Sequence, residues 1–200
     1  MYYRTRLYLA AEWDGDRDLI DQIHKWKDSD FYSLDFSDAH DLTQCKDSSL
    51  PCTIKKSLSL RMSGSKIFLL IVGANTNSVT KGSCQYCKHS TTVGVCTSSW
   101  ISTDNRSFIQ YECDKAVKDG LKIIVLYNYA NVDRSKCPEA VRYRGEHLSA
   151  YHWDYSGLAP IKKWNYQEIK QQLKTHRNEH KGCSKGIPLY FLLNFHVTKN

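Results

Sequence analysis

Apolar and polar residues along the chain follow two periods, one typical of buried strands and the other typical of amphipathic helices. Residues 66–75, KIFLLIVGAN, form a continuous apolar run of the kind that is buried on both faces of a parallel sheet, so this strand is predicted to be central. The same patterns predict strands at 4–11, 32–36, 121–128 and 148–155 and helices at 16–28, 51–62, 105–120 and 162–176. Pro51 marks a helix start and Gly120 a helix end.

The alternation of strands and helices predicts the fold class. Helical crossovers between strands imply a parallel sheet covered on both faces, which is a three-layer α/β sandwich. In the flavodoxin-like strand order 2-1-3-4-5, a crevice opens at the carboxyl ends of the first and third strands. Those ends are residues 10–14 and 73–76, and the loop at 37–42 lies on the same rim. A polar, partly basic ligand is therefore expected to bind there.

The composition predicts one globular domain over residues 1–200. The chain has 41% hydrophobic and 24% charged residues, four prolines and no long Pro, Gly or Ser linker. Its N-terminus, MYYRTRLYLAAEW, lacks the apolar stretch and cleavage pattern of a signal peptide, so export is not expected. The longest apolar run, IPLYFLLNF, is far shorter than the roughly 20 residues that span a bilayer. We therefore expect no membrane partner.

The formal net charge of +7 is concentrated late in the chain, in residues 161–185. A solvated helix face with a basic tail explains this excess, and non-specific contact with nucleic acid is the alternative. The chain lacks the interleaved aromatic and basic residues of single-strand binders, so a nucleic-acid partner is not favoured.

Eight cysteines include one suggestive cluster, GSCQYCKHSTTVGVC. Cys84 and Cys87 have the spacing that lets two thiolates bind one zinc ion, with His89 and Cys96 as further candidate ligands. The second CxxC pair of a typical zinc site is missing. Reduced cysteines in a loop are therefore favoured over a structural zinc site.

Glu112 interrupts an apolar helical stripe. On a helical wheel it falls about 60° to one side of Ile109, on the border of the stripe that Cys113, Ala116 and Val117 continue. The spacing alone fits an ordinary boundary glutamate. It also fits a carboxylate that reaches the crevice from the helix after the third strand.

Several segments together resemble a known family. They are FIQYECDKAVKDGLKIIVLYN (108–128), KIFLLIVGANT (66–76), SDAHDL (37–42) and the helix that begins near Pro51. Their order and spacing resemble the TIR-like domains of bacteria, in particular the ThsB family of the Thoeris anti-phage defence system. The resemblance covers about residues 4–130 and leaves 131–200 as a variable C-terminal part.

The resemblance implies a flavodoxin-like sheet, a cytoplasmic setting and NAD as substrate. It makes Glu112 the catalytic residue of an NAD glycohydrolase or ADP-ribosyl cyclase. Cleavage of the nicotinamide–ribose bond creates an oxocarbenium-like centre that a carboxylate stabilises, and nicotinamide leaves as a neutral molecule. One glutamate is then sufficient, and no cofactor is required. The chain would act through self-association and through a nucleotide product that reaches a downstream effector.

The resemblance also suggests residues that shape the pocket. These are Ala11, Glu12, Trp13, Asp38, His40, Gly73, Asn75, Thr76 and Phe108. The Trp13 ring either stacks on nicotinamide or adenine or packs as a half-buried side chain. His40 fits a surface loop equally well, and residues 73–76 either approach the diphosphate or form a plain turn.

The chain departs from the family pattern in two places. Phe108 stands where several relatives carry a tryptophan four residues before the glutamate, and the loop at 76–103 exceeds the usual connection. Residues after 130 have no counterpart in these motifs and are expected to form a partner or oligomer surface. A non-catalytic TIR-like signalling or scaffold protein, which binds a nucleotide or a protein partner without turnover, is the alternative to the enzyme.

Overall fold

The computed structural model describes residues 6–13, 15–29, 50–98, 100 and 102–174. The predicted strand at 32–36, the pocket residues Asp38 and His40, and the IPLYFLLNF segment lie outside the described residues.

The described residues form strands and helices that alternate along most of the chain. The strands are β1 (Arg6–Ala10), β2 (Ser65–Val72), β3 (Lys122–Tyr127), β4 (Glu146–Ser149), β5 (Tyr151–Asp154) and β6 (Ile161–Trp164). The helices are α1 (Arg17–Asp28), α2 (Pro51–Met62), α3 (Phe108–Lys118) and α4 (Tyr166–Lys174). The predicted boundaries of the first three helices and of the three central strands agree with these to within a few residues.

Four parallel strands form the main sheet, in the order β1-β2-β3-β4. The central strand β2 pairs on both sides, since Leu69 lies opposite Leu9 of β1 and opposite Ile124 of β3. In the numbering of the predicted strands this order is 1-3-4-5, which agrees with the flavodoxin-like order for every strand that is described. The predicted fold class is confirmed.

Each face of the sheet is covered by helices. On one face α1 and α4 bury Ile20, Trp26 and Ile169 against the strands, and on the other α2 and α3 bury Met62 and Ile109. Full burial of such side chains stabilises a fold by roughly 1.5–3 kcal/mol each, so the two clusters account for the sandwich. Within the described residues, no helix combines the length and the apolar character that crossing a membrane requires.

The ends of α3 are fixed by local chemistry, and these ends place Glu112. Ser107 and Gln110 form a reciprocal capping box at the start of the helix, with N···O distances of 2.9 and 3.2 Å. At the other end Gly120 adopts a left-handed φ of 65°, and the N–H of Leu121 donates to the Ala116 carbonyl oxygen at 3.0 Å. The helix therefore begins and ends at specified residues.

The C-terminal part differs from its prediction. The single strand predicted at 148–155 divides at Ala150 into β4, which joins the parallel sheet, and β5, which pairs antiparallel with β6 in a separate two-stranded sheet. The N–H of Ala150 donates to Tyr127 of β3, while its carbonyl accepts from Asn165. One residue thus serves both sheets. The helix predicted from residue 162 begins only at Tyr166.

Candidate active site

The loops after β1 and β2 adjoin at the carboxyl edge of the sheet, where the sequence predicts the crevice. The N–H of Gly15 donates to the Glu12 carboxylate at 2.6 Å. A Cβ atom at Gly15 would lie 3.2 Å from the Asn75 side-chain nitrogen. Ala11 is buried beside them, and Trp13 is 40% exposed. The structure therefore brings Glu12 and Asn75 together, with Trp13 accessible on the same loop.

Residues 73–76 form a turn with its own internal hydrogen bonds. The N–H of Gly73 donates to Thr76 Oγ1 at 2.8 Å, and Thr76 is buried. The carbonyl oxygen of Asn75 accepts from the N–H groups of Ser78 and Val79. Asn75 itself is exposed. Within this turn, Asn75 offers the accessible side-chain donor.

Asp16 is a buried carboxyl group at this edge that the sequence analysis did not identify. It is only 1% exposed and accepts a hydrogen bond from Asn128 Nδ2 at 3.2 Å. Burial raises the pKa of Asp16 to about 6, and the charges of Glu12 and Asp18 act in the same direction. The available signal was an acidic residue between the end of a strand and the start of a helix.

Glu112 lies on the α2 and α3 side of the sheet. It is 4% exposed, and its Oε1 atom accepts a hydrogen bond from the Tyr8 hydroxyl of β1 at 2.5 Å. The helical wheel predicted a border position, whereas the side chain is buried. The wheel considers only neighbours on the same helix, and it cannot include a strand hydroxyl that supplies a polar partner inside the core.

The pKa of the Glu112 carboxyl is raised to about 7. Burial is the cause, and the Tyr8 hydrogen bond and the positive charge of Arg61 offset part of it. A pKa near neutrality means that both the protonated and the ionised forms are populated at physiological pH. Carboxyl groups tuned in this way are concentrated at functional sites.

Phe108, the predicted pocket-wall residue, lies under the long loop. Its N–H donates to the Lys81 carbonyl at 2.9 Å. Gly82 has a φ of 100°, and a Cβ atom there would lie 2.5 Å from the Phe108 ring. The loop backbone therefore packs directly on this ring, four residues before Glu112.

Lys55, a buried lysine of α2, forms hydrogen bonds with the end of the same loop. The Lys55 ammonium is 4% exposed and donates to the carbonyl oxygens of Asp104 and Arg106, both at 2.7 Å. It also pairs with the Asp104 carboxylate at 3.3 Å. Burial lowers the pKa of Lys55, and Asp104 opposes this effect. These contacts hold the segment that leads into α3.

We expect Lys55→Met to loosen this loop. The substitution removes the donor to two carbonyl oxygens and one of the two cations beside the Asp104 carboxylate, which keeps its pair with Arg106. The free energy of unfolding should therefore fall by about 2 kcal/mol. Trypsin cleavage after Lys81 and Lys88 should become faster. Lys56→Met removes the neighbouring, exposed lysine and is the matched control. Equal cleavage rates in the two variants would contradict this role of Lys55.

The cysteine cluster does not gather a metal site within the described residues. Cys84 and Cys96 are buried, and Cys87 is half-buried. Cys84 and Cys87 share one tight turn, in which the N–H of Cys87 donates to the Cys84 carbonyl oxygen at 3.0 Å. In the described part of the chain, no group of three or more His, Cys, Asp or Glu side chains is placed to hold an ion. A structural zinc ion requires four ligands.

The parallel sheet, the helices on both faces and the polar carboxyl edge define a flavodoxin-like α/β domain. Residues 8–81 match the family model described as Thoeris protein ThsB, TIR-like domain. This part of the chain is therefore similar to the TIR-like domain of Thoeris ThsB. The matched segment contains the loops after β1 and β2 and ends before Glu112. No curated protein matches the chain.

Proposed function

We propose that the protein is an NAD-consuming TIR-like enzyme that cleaves the nicotinamide–ribose bond in anti-phage defence. The observation that carries this proposal is the Glu112 carboxyl, buried on α3 with its pKa raised to about 7. A buried carboxyl group whose ionisation is disfavoured lowers the stability of the fold at neutral pH. A functional role is therefore favoured as the reason that the residue is present. The match to the ThsB family model supports the proposal.

The chemistry assigned to Glu112 is electrostatic. As nicotinamide departs, positive charge develops on the ribose, and the ionised carboxylate stabilises that charge. Because nicotinamide leaves as a neutral molecule, no general acid and no cofactor are needed. Water as the nucleophile yields ADP-ribose. An intramolecular nucleophile yields a cyclic ADP-ribose type of messenger, which we propose signals to a downstream effector.

Access to Glu112 requires a change in the molecule, since only 4% of this residue is exposed. We propose that self-association in the cytoplasm opens the site. The hairpin of β5 and β6 supports self-association because it exposes several large apolar side chains, namely Trp153, Tyr155, Leu158 and Ile161.

The test is to incubate the purified protein with NAD over a range of protein concentrations and to follow nicotinamide and ADP-ribose products by mass spectrometry. Glu112→Gln should lower the rate of nicotinamide release at least 100-fold, which is typical of losing one electrostatic group. Glu168→Gln removes an exposed glutamate of α4 and should leave the rate unchanged. Equal turnover in the wild-type protein and Glu112→Gln would overturn the assignment of Glu112.

A non-catalytic signalling protein is the second candidate, and the burial of Glu112 against Tyr8 favours it. In that case Glu112 is a structural residue, and the protein binds a nucleotide or a partner without turnover. Calorimetry with NAD and with ADP-ribose separates the two candidates. Saturable binding without nicotinamide release at any protein concentration would establish the second.

A further inference from the structure

Tyr8 is a buried side chain held firmly in place. It is 0% exposed, and its ring stacks on Phe68 with a centroid distance of 6.1 Å and an interplanar angle of 19°. The two residues are also direct backbone neighbours, because Tyr8 of β1 pairs with Phe68 of β2. Strand pairing and ring stacking together fix the position of the Tyr8 hydroxyl.

That hydroxyl donates to Glu112 Oε1 across 104 residues of sequence, at 2.5 Å. A hydroxyl that donates to an ionised carboxylate forms a charge-assisted hydrogen bond, which is stronger than one between neutral groups. Such a bond stabilises the charged form of the acid more than the neutral form. The contact therefore acts on the ionisation of Glu112 as well as on its position.

Two further described groups near Glu112 are Arg61 and Cys113. In the described part of the chain, Arg61 of α2 contributes a favourable positive charge and Tyr8 of β1 contributes the hydrogen bond. Cys113, the neighbour on α3, is buried, and burial followed by the Glu112 charge raises the pKa of its thiol. The thiol is therefore neutral, and the Tyr8 hydroxyl is a neutral group that favours ionised Glu112.

We propose that Tyr8 is a positioning residue that keeps Glu112 ionised near neutral pH and fixes one of its two oxygens beside the ribose. The catalytic part of this inference rests on the proposed function, and the ionisation part does not. Loss of the hydroxyl should leave Glu112 protonated over a wider pH range. As the pH is lowered, the rate of NAD cleavage by Tyr8→Phe would then begin to fall at a higher pH than the rate of the wild-type protein.

The first experiment measures ionisation without any need for turnover. Urea unfolding of wild type, Tyr8→Phe, Glu112→Gln and the double variant is followed from pH 5 to pH 9. We compare the free energy of unfolding of the wild-type protein with that of Glu112→Gln at each pH. The wild-type value should fall relative to the variant as pH rises, and this difference should stop growing and level off just above pH 7. In the Tyr8→Phe background the levelling should move upward by roughly one to two pH units, the effect of one hydrogen bond to a charged group.

A matched control tests whether any buried tyrosine behaves in this way. Tyr127 of β3 is also fully buried on the α2 and α3 side of the sheet, and its hydroxyl contacts His147 Nδ1 at 2.9 Å. Tyr127→Phe should leave the levelling near pH 7. An unchanged levelling point in Tyr8→Phe, or an equal shift in Tyr127→Phe, would overturn the inference.

The second experiment records nicotinamide release against pH. At pH values below the wild-type midpoint, Tyr8→Phe should cleave NAD about tenfold more slowly or worse, and near pH 9 its rate should approach that of the wild-type protein. An equal loss at every pH would show that Tyr8 is merely structural. If no protein cleaves NAD but the levelling point moves, Tyr8 controls the ionisation of Glu112 and the proposed function fails.

Discussion

Glu112→Gln is expected to make the folded protein more stable at pH 8, by roughly 3 kcal/mol, while under the proposed function it lowers the rate of NAD cleavage at least 100-fold. Burial raises the pKa of this carboxyl from an ordinary 4.5 to about 7. Each unit of that difference corresponds to about 1.4 kcal/mol between the folded and unfolded states. Glutamine imitates the protonated carboxyl in shape and charge, so it avoids the free energy of ionising a buried group.

The sign of the effect follows from the direction of the pKa shift. A carboxyl whose pKa is raised by folding favours the folded state fully below pH 4.5, and this contribution is lost as pH rises through about 7. The gain from Glu112→Gln should therefore be near zero at pH 4.5 and complete at pH 8. Urea unfolding at both pH values measures it, and Glu168→Gln controls for the loss of a surface charge.

A gain that is the same at both pH values would contradict ionisation as the cause. Destabilisation at pH 8 would show that the Tyr8 hydrogen bond to the carboxylate outweighs the burial of its charge. An opposite response of stability and activity is typical of residues that a protein retains for function at a loss of stability. Unfolding and nicotinamide release, both measured on Glu112→Gln, thus test independently whether Glu112 is retained for function.

Strong periodicity explains which parts of the fold the sequence predicts. The apolar run of β2 and the helical spacing in α1 extend over 8 and 12 residues, long enough for the pattern to be unambiguous. The strands β5 and β6 have only four residues each, too few for a period to be recognised in the sequence. Their existence depends on pairing with each other, which a local pattern cannot contain.

The sequence also predicts the candidate site only in part, because several of its contacts join residues that are far apart along the chain. Glu112 was identified through a resemblance to a family, but its burial depends on Tyr8, 104 residues earlier. Lys55 lies on a predicted helix, and nothing in its vicinity in the sequence indicates that the carbonyls of Asp104 and Arg106 surround its ammonium. The packing of α2 and α3 on the same face of the sheet brings such groups together.

Gly73→Ala is expected to destabilise the protein by roughly 2–3 kcal/mol, although it adds a single methyl group. An ideal Cβ atom at Gly73 would lie 1.9 Å from Asp16 Oδ1 and 2.6 Å from its carboxyl carbon. Asp16 cannot easily withdraw, because it is buried at the start of α1 and is held by Asn128. Chemical unfolding at pH 7 measures the loss.

Gly157→Ala is the matched control. The nearest atom to an added Cβ there is the Ala159 carbonyl oxygen at 3.8 Å, an ordinary contact. Since neither glycine has a left-handed φ, backbone strain does not distinguish the two substitutions. Gly157→Ala should be neutral or stabilise slightly, because alanine restricts the unfolded chain.

The double variant Asp16→Ala with Gly73→Ala separates the steric cause from a general defect at the edge of the sheet. If the added methyl group acts only by displacing the Asp16 carboxyl, Gly73→Ala should be nearly neutral in the Asp16→Ala background, so the two changes are strongly non-additive. Additive losses would show that Gly73 is needed for its backbone conformation or for the turn with Thr76. Because the pKa of Asp16 is raised to about 6, Asp16→Ala alone should also reduce the decline in stability between pH 4 and pH 7.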